Sequence, residues 1–480
     1  YWLLILLISI YGILLLNYAS KQGFWHDEIH TLSCINGISA YNFKGSLINK
    51  LDEAIGTLIL KRRLVGDFLK EGYILAILHE GHPPFYYMMI KLWAYFFGYS
   101  ELSLRSFSII CGLIFVYLIY DIARKNCRNH HVKWLSITLI IFNPFLFYYF
   151  AEARMYALGL LLGAICYTIW LDNVKRNTNT NFKNIVFITS STLLLYTHYY
   201  GLFFYLTLIA WDIFKNSKFS FKINYLLPII FFSPWITLIP AQLAYHSTHW
   251  TDGVYPLIQS LLGFAKNIVN LNISPMSVAN SFEMLLMFLL SVSLIYSLIY
   301  YKKYLLLIEY VLVLSFYFII IYIFDIVTNH HTVVIPRYYI FIIIIINWMI
   351  ISILDIEHKK ISIILVIIYC FIAFTVIKDI YLLQRGQKQM YKPVASYIDT
   401  NFDKDNILII AKPNGPLIYG LSYYLKQNFK IASSSQKSND PYRKKIYVVE
   451  SLGARSETYL DKHIHMNLNK IPFPGLSIYK

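Results

Sequence analysis

The chain has 480 residues, of which 57% are hydrophobic, 18% aromatic and only 14% charged, against about 25% charged in ordinary soluble domains. That shortfall excludes a typical soluble enzyme, because the apolar residues lie in long uncharged blocks and not in amphipathic stripes. Lys and Arg outnumber Asp and Glu by 42 to 26, a formal charge of +16; in a membrane protein such an excess is first a matter of topology, and it implies no nucleic-acid partner. The composition predicts an α-helical polytopic membrane protein. Its five cysteines (Cys34, Cys111, Cys127, Cys166, Cys370) show no CxxC spacing and predict neither a disulfide framework nor a zinc site.

A helical span needs about 20 apolar residues, with about 17 as the lower limit. Residues 1–18 form the first such block, read as an anchor because no small-residue cleavage site follows. A long polar loop at 19–102 comes next. Within it, Phe24-Trp25-His26-Asp27-Glu28-Ile29-His30 sets two adjacent carboxylates about six residues beyond the span. The plain reading is a helix start, with Asp27 capping and Glu28 in the first turn. The functional reading is an acid held between Trp25 and the bilayer surface, where partial desolvation makes it a better proton acceptor. Further on, His79-Glu80-Gly81-His82-Pro83-Pro84-Phe85-Tyr86-Tyr87 leads into an apolar block at 83–97 that carries Lys91 and suits an interfacial helix. The prolines preset a helix N-terminus. As a second reading, His79, Glu80 and His82 are candidate ligands for a divalent metal ion, although HExH lacks the helical HExxH spacing.

Spans follow at 103–120, 134–150 and 155–171, the first carrying Arg105 near its outer end. Glu152-Ala153-Arg154 stands between the latter two. Residues 185–211 are too long for one span and short for two. Basic loops at 124–133, 173–184, 215–222, 301–304 and 356–360 belong inside by the positive-inside rule. Placing all five there predicts a tight pair of short helices turning at Thr197-His198-Tyr199-Tyr200-Gly201. With further spans at 223–243, 281–300, 305–324, 338–354 and 361–377, the chain has eleven. The outer side then receives 19–102, the turns near Glu152 and His198, 245–280, 325–337 and the region from 382 to 480. That last region changes character: β-type runs at 407–411 and 445–449, turn-rich stretches and a helix at 417–427 predict a small C-terminal extracytoplasmic α/β domain. The expected division is 1–381 and 382–480.

This topology gathers Asp27, Glu28, His82, Arg105, Glu152, Arg154, His198 and Arg337 on the outer face. Each alone has a bland reading as a snorkelling or capping residue. Together they suit a lipid-linked phosphate or pyrophosphate, which guanidinium groups grip through paired hydrogen bonds.

On these motifs the chain resembles the GT-C glycosyltransferases of the protein O-mannosyltransferase and aminoarabinose transferase group, and more narrowly the RgtA/B/C/D-like bacterial membrane glycosyltransferases. The resemblance rests on Trp25-His26-Asp27-Glu28, on His82-Pro83-Pro84 with Tyr86, Tyr87 and Lys91, and on Gly98 to Arg105. Glu152-Ala153-Arg154-Met155-Tyr156 and Pro336-Arg337-Tyr338 complete it, so that it covers about residues 1–345. It implies inverting transfer of a sugar from a polyprenyl-phosphate donor to a glycan, lipid or protein acceptor at the outer face of the cytoplasmic membrane. By that likeness Asp27 takes the acceptor's proton, and Glu28 orients the acceptor or assists a metal. Arg105, Arg154 and Arg337, with Tyr338, hold the donor phosphate, while Trp25, His82, Tyr86, Glu152 and His198 line the pocket. One departure is Glu152, where related enzymes often carry Asp. A flippase or a polymerase of lipid-linked glycans is the competing expectation, but no internal repeat of the kind transporters show is visible.

Overall fold

The computed structural model describes residues 2–37, 76–78, 80–176, 180–215, 223–245, 252–271, 281–382 and 391–402, together with 407–410, 420–421, 423–425, 430–433, 445–450, 470–473 and 476–479. His79 lies outside them, as do parts of the 173–184, 215–222 and 245–280 loops and the turn-rich stretch at 412–416.

The described chain forms two compact units. The first comprises Tyr1–Asn17, His82–Tyr86 and Arg105–Gly386; the second comprises Tyr18–Gly81, Tyr87–Leu104 and Gln387–Lys480.

Helices occupy every block expected to span. In chain order they are α1 (Trp2–Ser20), α2 (His26–Ile35), α3 (Phe85–Phe97), α4 (Glu101–Asn126), α5 (Val132–Ile141), α6 (Pro144–Phe150), α7 (Tyr156–Arg176), α8 (Asn181–Leu195) and α9 (Tyr200–Lys215). There follow α10 (Ile223–Ile236), α11 (Ile239–Tyr245), α12 (Leu257–Asn270), α13 (Ser281–Tyr300), α14 (Tyr304–Thr328), α15 (Ile342–Ile356), α16 (Lys359–Tyr381) and α17 (Tyr391–Asn401). Five of them are long and apolar enough to cross a bilayer, and α5 with α6 makes a sixth. Four more apolar helices are shorter, and α8 completes the expected positions. Large apolar side chains such as Ile13, Leu305 and Phe371 stand exposed on the described surface, an arrangement stable only where lipid takes the place of water. The protein is a multi-pass membrane protein.

Two expected spans are broken, each beside a proline that opens the following helix, Pro144 and Pro240. Residues 134–150 form α5 and α6, bent by 61°. Pro144 has no N–H to continue α5, and Asn143 starts a new helix by accepting a hydrogen bond from Leu146 N at 2.9 Å. Residues 223–243 carry Pro228 and Pro234 inside α10, which stops at Ile236 before α11 restarts at Ile239. The predicted pair within 185–211 is present, with α8 capped by Thr180 and ending at Leu195, and α9 opening at Tyr200.

The ends of the first unit sort as charge predicts. Asp355 at the end of α15 accepts from the backbone N–H of Arg128 (2.9 Å) and Asn129 (2.8 Å), which ties two basic loops together. Tyr301 donates to Glu357 at 3.3 Å, joining a third. At the opposite face, Gly253 N donates to Asn329 O at 2.9 Å, linking the 245–280 and 325–337 regions.

In the second unit α2 begins where the sequence changes from apolar to charged, and α4 opens on Ser100, whose Oγ accepts from Ser103 N at 3.2 Å. Five strands, β1 (Ile407–Ile410), β2 (Lys430–Ser433), β3 (Lys445–Glu450), β4 (Lys470–Phe473) and β5 (Leu476–Tyr479), form one sheet in the order β2-β1-β3-β5-β4. β1 pairs parallel with β2 and β3, whereas β5 pairs antiparallel with β3 and β4. Tyr424 Oη accepts from Phe24 N at 2.6 Å and donates to Glu101 at 2.9 Å, so the C-terminal region braces the chain just before α2.

Candidate active site

The first unit brings together side chains from separate stretches of the chain around His82 and His198. His82 and His198 meet edge to face with ring centroids 5.3 Å apart. The corner that carries His82 is pinned twice: Phe85 N donates to Tyr196 O at 2.9 Å, and Gln242 Nε2 donates to His82 O at 3.1 Å. Gln242 is itself held by the Tyr199 hydroxyl, which accepts from Trp235 Nε1 at 2.9 Å. Nothing in the local pattern of the sequence announced this brace, which joins residues more than a hundred positions apart.

Around His198 stand Tyr156, Tyr200 and Phe341, at centroid distances of 5.8, 5.6 and 5.4 Å. Tyr338 stacks on Tyr200 at 4.5 Å with planes 5° apart, and the Arg337 guanidinium lies 5.5 Å over the Tyr338 ring. Gly159 allows the close approach on this side, since a Cβ there would stand 2.6 Å from the Phe341 ring. Asp325, fully buried, fixes the 3₁₀ turns that deliver Arg337 by accepting from Thr332 N (3.0 Å), Thr332 Oγ1 and Val333 N (2.8 Å). Asp325 was not foreseen from the sequence, where it stands one residue beyond the expected span at 305–324.

Arg105, Glu152 and Arg154 are each at most 4% exposed. Tyr86 is fully buried, its ring 6.4 Å from Phe107. His198 is 2% exposed. Burial above all, and then the charges of His82, Arg154 and Arg337, hold its imidazole well below the ordinary histidine pKa, so it is neutral at neutral pH. The cluster thus joins the fixed charges of Arg154 and Arg337, aromatic rings and a histidine that does not add to the charge.

The second unit places the acidic pair. The helix cap is Trp25 and not Asp27: Glu28, at the third helical position, receives the Trp25 backbone N–H at 3.3 Å. Glu28 is 1% exposed, while Asp27 and Trp25 keep partial exposure. Glu80 lies between Tyr87, which donates to it at 3.1 Å, and His30 Nδ1 at 3.1 Å; His30 in turn faces His26 at 3.3 Å. The i, i+4 spacing of His26 and His30 was the signal for this chain of polar groups. His82 falls in the other unit, and among the described residues no group of three His, Cys, Asp or Glu side chains could hold a metal ion.

Residues 81–238 match the family model of dolichyl-phosphate-mannose-protein mannosyltransferase, a stretch that contains His82, Arg105, Glu152, Arg154 and His198. That match takes in 158 of the chain's 480 residues. Among solved structures, apo ArnT from Cupriavidus metallidurans is similar at 10% identity with a TM-score of 0.49, over 99% of this chain and 97% of that one. The same enzyme bound to undecaprenyl phosphate is similar at 11% identity, with the same TM-score and coverage. No curated protein matches the chain.

Proposed function

We propose that the protein transfers a sugar from a polyprenyl-phosphate donor to a glycan, lipid or protein acceptor, with inversion, at the outer face of the cytoplasmic membrane. The observation that carries this reading is the convergence of His82, Arg154, His198 and Arg337, separated by up to 255 residues in sequence, in one cluster among aromatic rings. In the reaction the acceptor oxygen bonds to the anomeric carbon, and the carbon–oxygen bond to phosphate breaks, its electron pair leaving with the carrier phosphate. A phosphate leaving group needs charge stabilisation more than protonation, so Arg154 and Arg337, with Arg105, stabilise the departing charge. Tyr338 keeps the Arg337 guanidinium in place by its ring, and His82, Tyr86 and Glu152 shape the pocket. Asp27 takes the proton from the attacking hydroxyl. Its partial exposure supports that role, whereas the engagement of Glu28 in the helix cap supports a positioning role for the latter. Trp25, two residues before Asp27, is assigned to the acceptor side of the site. The region from 382 to 480 is proposed to be extracytoplasmic, together with Tyr18–Gly81 and Tyr87–Leu104, which share its compact unit.

General-base help is worth about 10²- to 10⁴-fold, or about 3–5 kcal/mol of barrier. Asp27→Asn in purified protein should therefore insert normally and lose transfer from a polyprenyl-phosphate sugar by at least about a hundredfold. Turnover near that of the wild type would remove Asp27 from the mechanism.

A further inference from the structure

His198 has two ring nitrogens in different situations. Nδ1 accepts a hydrogen bond from the backbone N–H of Tyr200 at 3.1 Å, so in the neutral ring the proton sits on Nε2. Nε2 is buried and has no hydrogen-bond partner among the described residues. A buried donor left unmet costs about 1–3 kcal/mol, and natural interiors meet nearly all such groups. The surrounding charge is positive: His82 from the corner before α3, Arg154 from the turn before α7 and Arg337 from the 3₁₀ turn before α15 all act on this ring. Tyr156, Tyr200 and Phe341 place their rings beside it. The N-terminus of α9, a 16-residue helix opening two residues later at Tyr200, adds to the positive potential. A site of this composition leaves its unmet N–H for an anion.

We infer that His198 is a phosphate-binding residue whose Nε2–H donates to a phosphate oxygen of the lipid-linked substrate and of the carrier phosphate left after transfer. This rests on the reading of the pocket given above and assigns His198 a defined atom and direction within it. Because the ring is neutral, it donates a hydrogen bond without giving up a proton, and no proton moves through it during the reaction. Its ring also stays fixed, since the Tyr200 N–H prevents the flip that would present Nδ1 instead.

The test uses the full-length protein and measures binding of undecaprenyl phosphate, with inorganic phosphate and undecaprenol as comparison probes. His198→Phe keeps the aromatic packing and removes the donor, whereas His198→Gln keeps an N–H. The Phe variant should bind undecaprenyl phosphate about tenfold more weakly or worse, the Gln variant within about threefold of wild type. Undecaprenol binding should be unchanged in both, and competition by inorganic phosphate should fall in step in the Phe variant. Equal loss of undecaprenol binding would overturn the inference, because the defect would then be one of packing around the lipid. Unchanged undecaprenyl phosphate binding in His198→Phe would overturn it as well, leaving a buried water as the partner of Nε2. Should Arg337→Ala weaken binding while His198→Phe does not, only this inference fails; should neither weaken it, the proposed pocket fails too. In the wild type, affinity should not decline from about pH 6 to about pH 8, the range over which an ordinary histidine cation would lose its charge. A decline absent from His198→Gln would show that a charged His198 was required.

Discussion

Asp27 and Glu28 are neighbours in sequence and opposites in setting. Glu28 is buried and holds the Trp25 N–H, while Asp27 keeps access to solvent. A glutamine can serve the same cap, so Glu28→Gln should retain the folded state and most of the transfer rate, whereas Glu28→Ala should lower the melting temperature by releasing the cap, at a cost of about 0.5–2 kcal/mol. A Glu28→Gln loss as deep as that of Asp27→Asn would instead make both acids participants in the chemistry. Arg337→Ala should raise KM for the lipid donor with a smaller effect on the folded state, because the guanidinium lies over a tyrosine ring rather than inside the hydrogen bonds that secure the turn. Several of these residues were legible as charges at the edges of apolar blocks. Which of two adjacent carboxylates stays exposed was not, because helix phase and burial are set by packing from distant parts of the chain.

At the scale of elements, the site is held by breaks and close approaches rather than by long regular helices. Asp325 replaces helix continuation with three hydrogen bonds to the following turn. Asp325→Ala leaves those donors unmet, each at about 1–3 kcal/mol, and should both lower thermal stability and raise donor KM. Stability lowered with KM unchanged would mean that the turn does not position Arg337. Gly159→Ala pushes a methyl into the Phe341 ring; over-packing of this kind costs about 1–3 kcal/mol, to be read as a lower melting temperature. Hydrophobic blocks and basic loops located the helices, down to the turn at 197–201. They did not reveal the bend at Pro144, since a block without charge reads as continuous until the missing N–H of proline and the Asn143 cap are weighed together. Nor could they reveal the Gln242 brace on His82, which joins loops from far apart in the chain.

For the whole molecule, the few charges do the sorting. Basic loops bonded to one another at one end and the 253–329 link at the other agree with alternating helices, so a cysteine placed in the 173–184 loop should resist membrane-impermeant labelling from outside intact cells, and labelling there would invert the scheme. The grouping of Tyr18–Gly81 and Tyr87–Leu104 with the C-terminal residues in one compact unit was not legible in the sequence, because hydropathy reports which segments leave the membrane and not which of them pack together. The central claim concerns a sugar carried on a polyprenyl phosphate. It is tested most directly by replacing the native protein with its Asp27→Asn form in cells and analysing lipid extracts by mass spectrometry. A polyprenyl-phosphate-linked sugar should accumulate in those cells and disappear when the wild-type protein is restored; a lipid pool identical to that of the wild type would contradict the account.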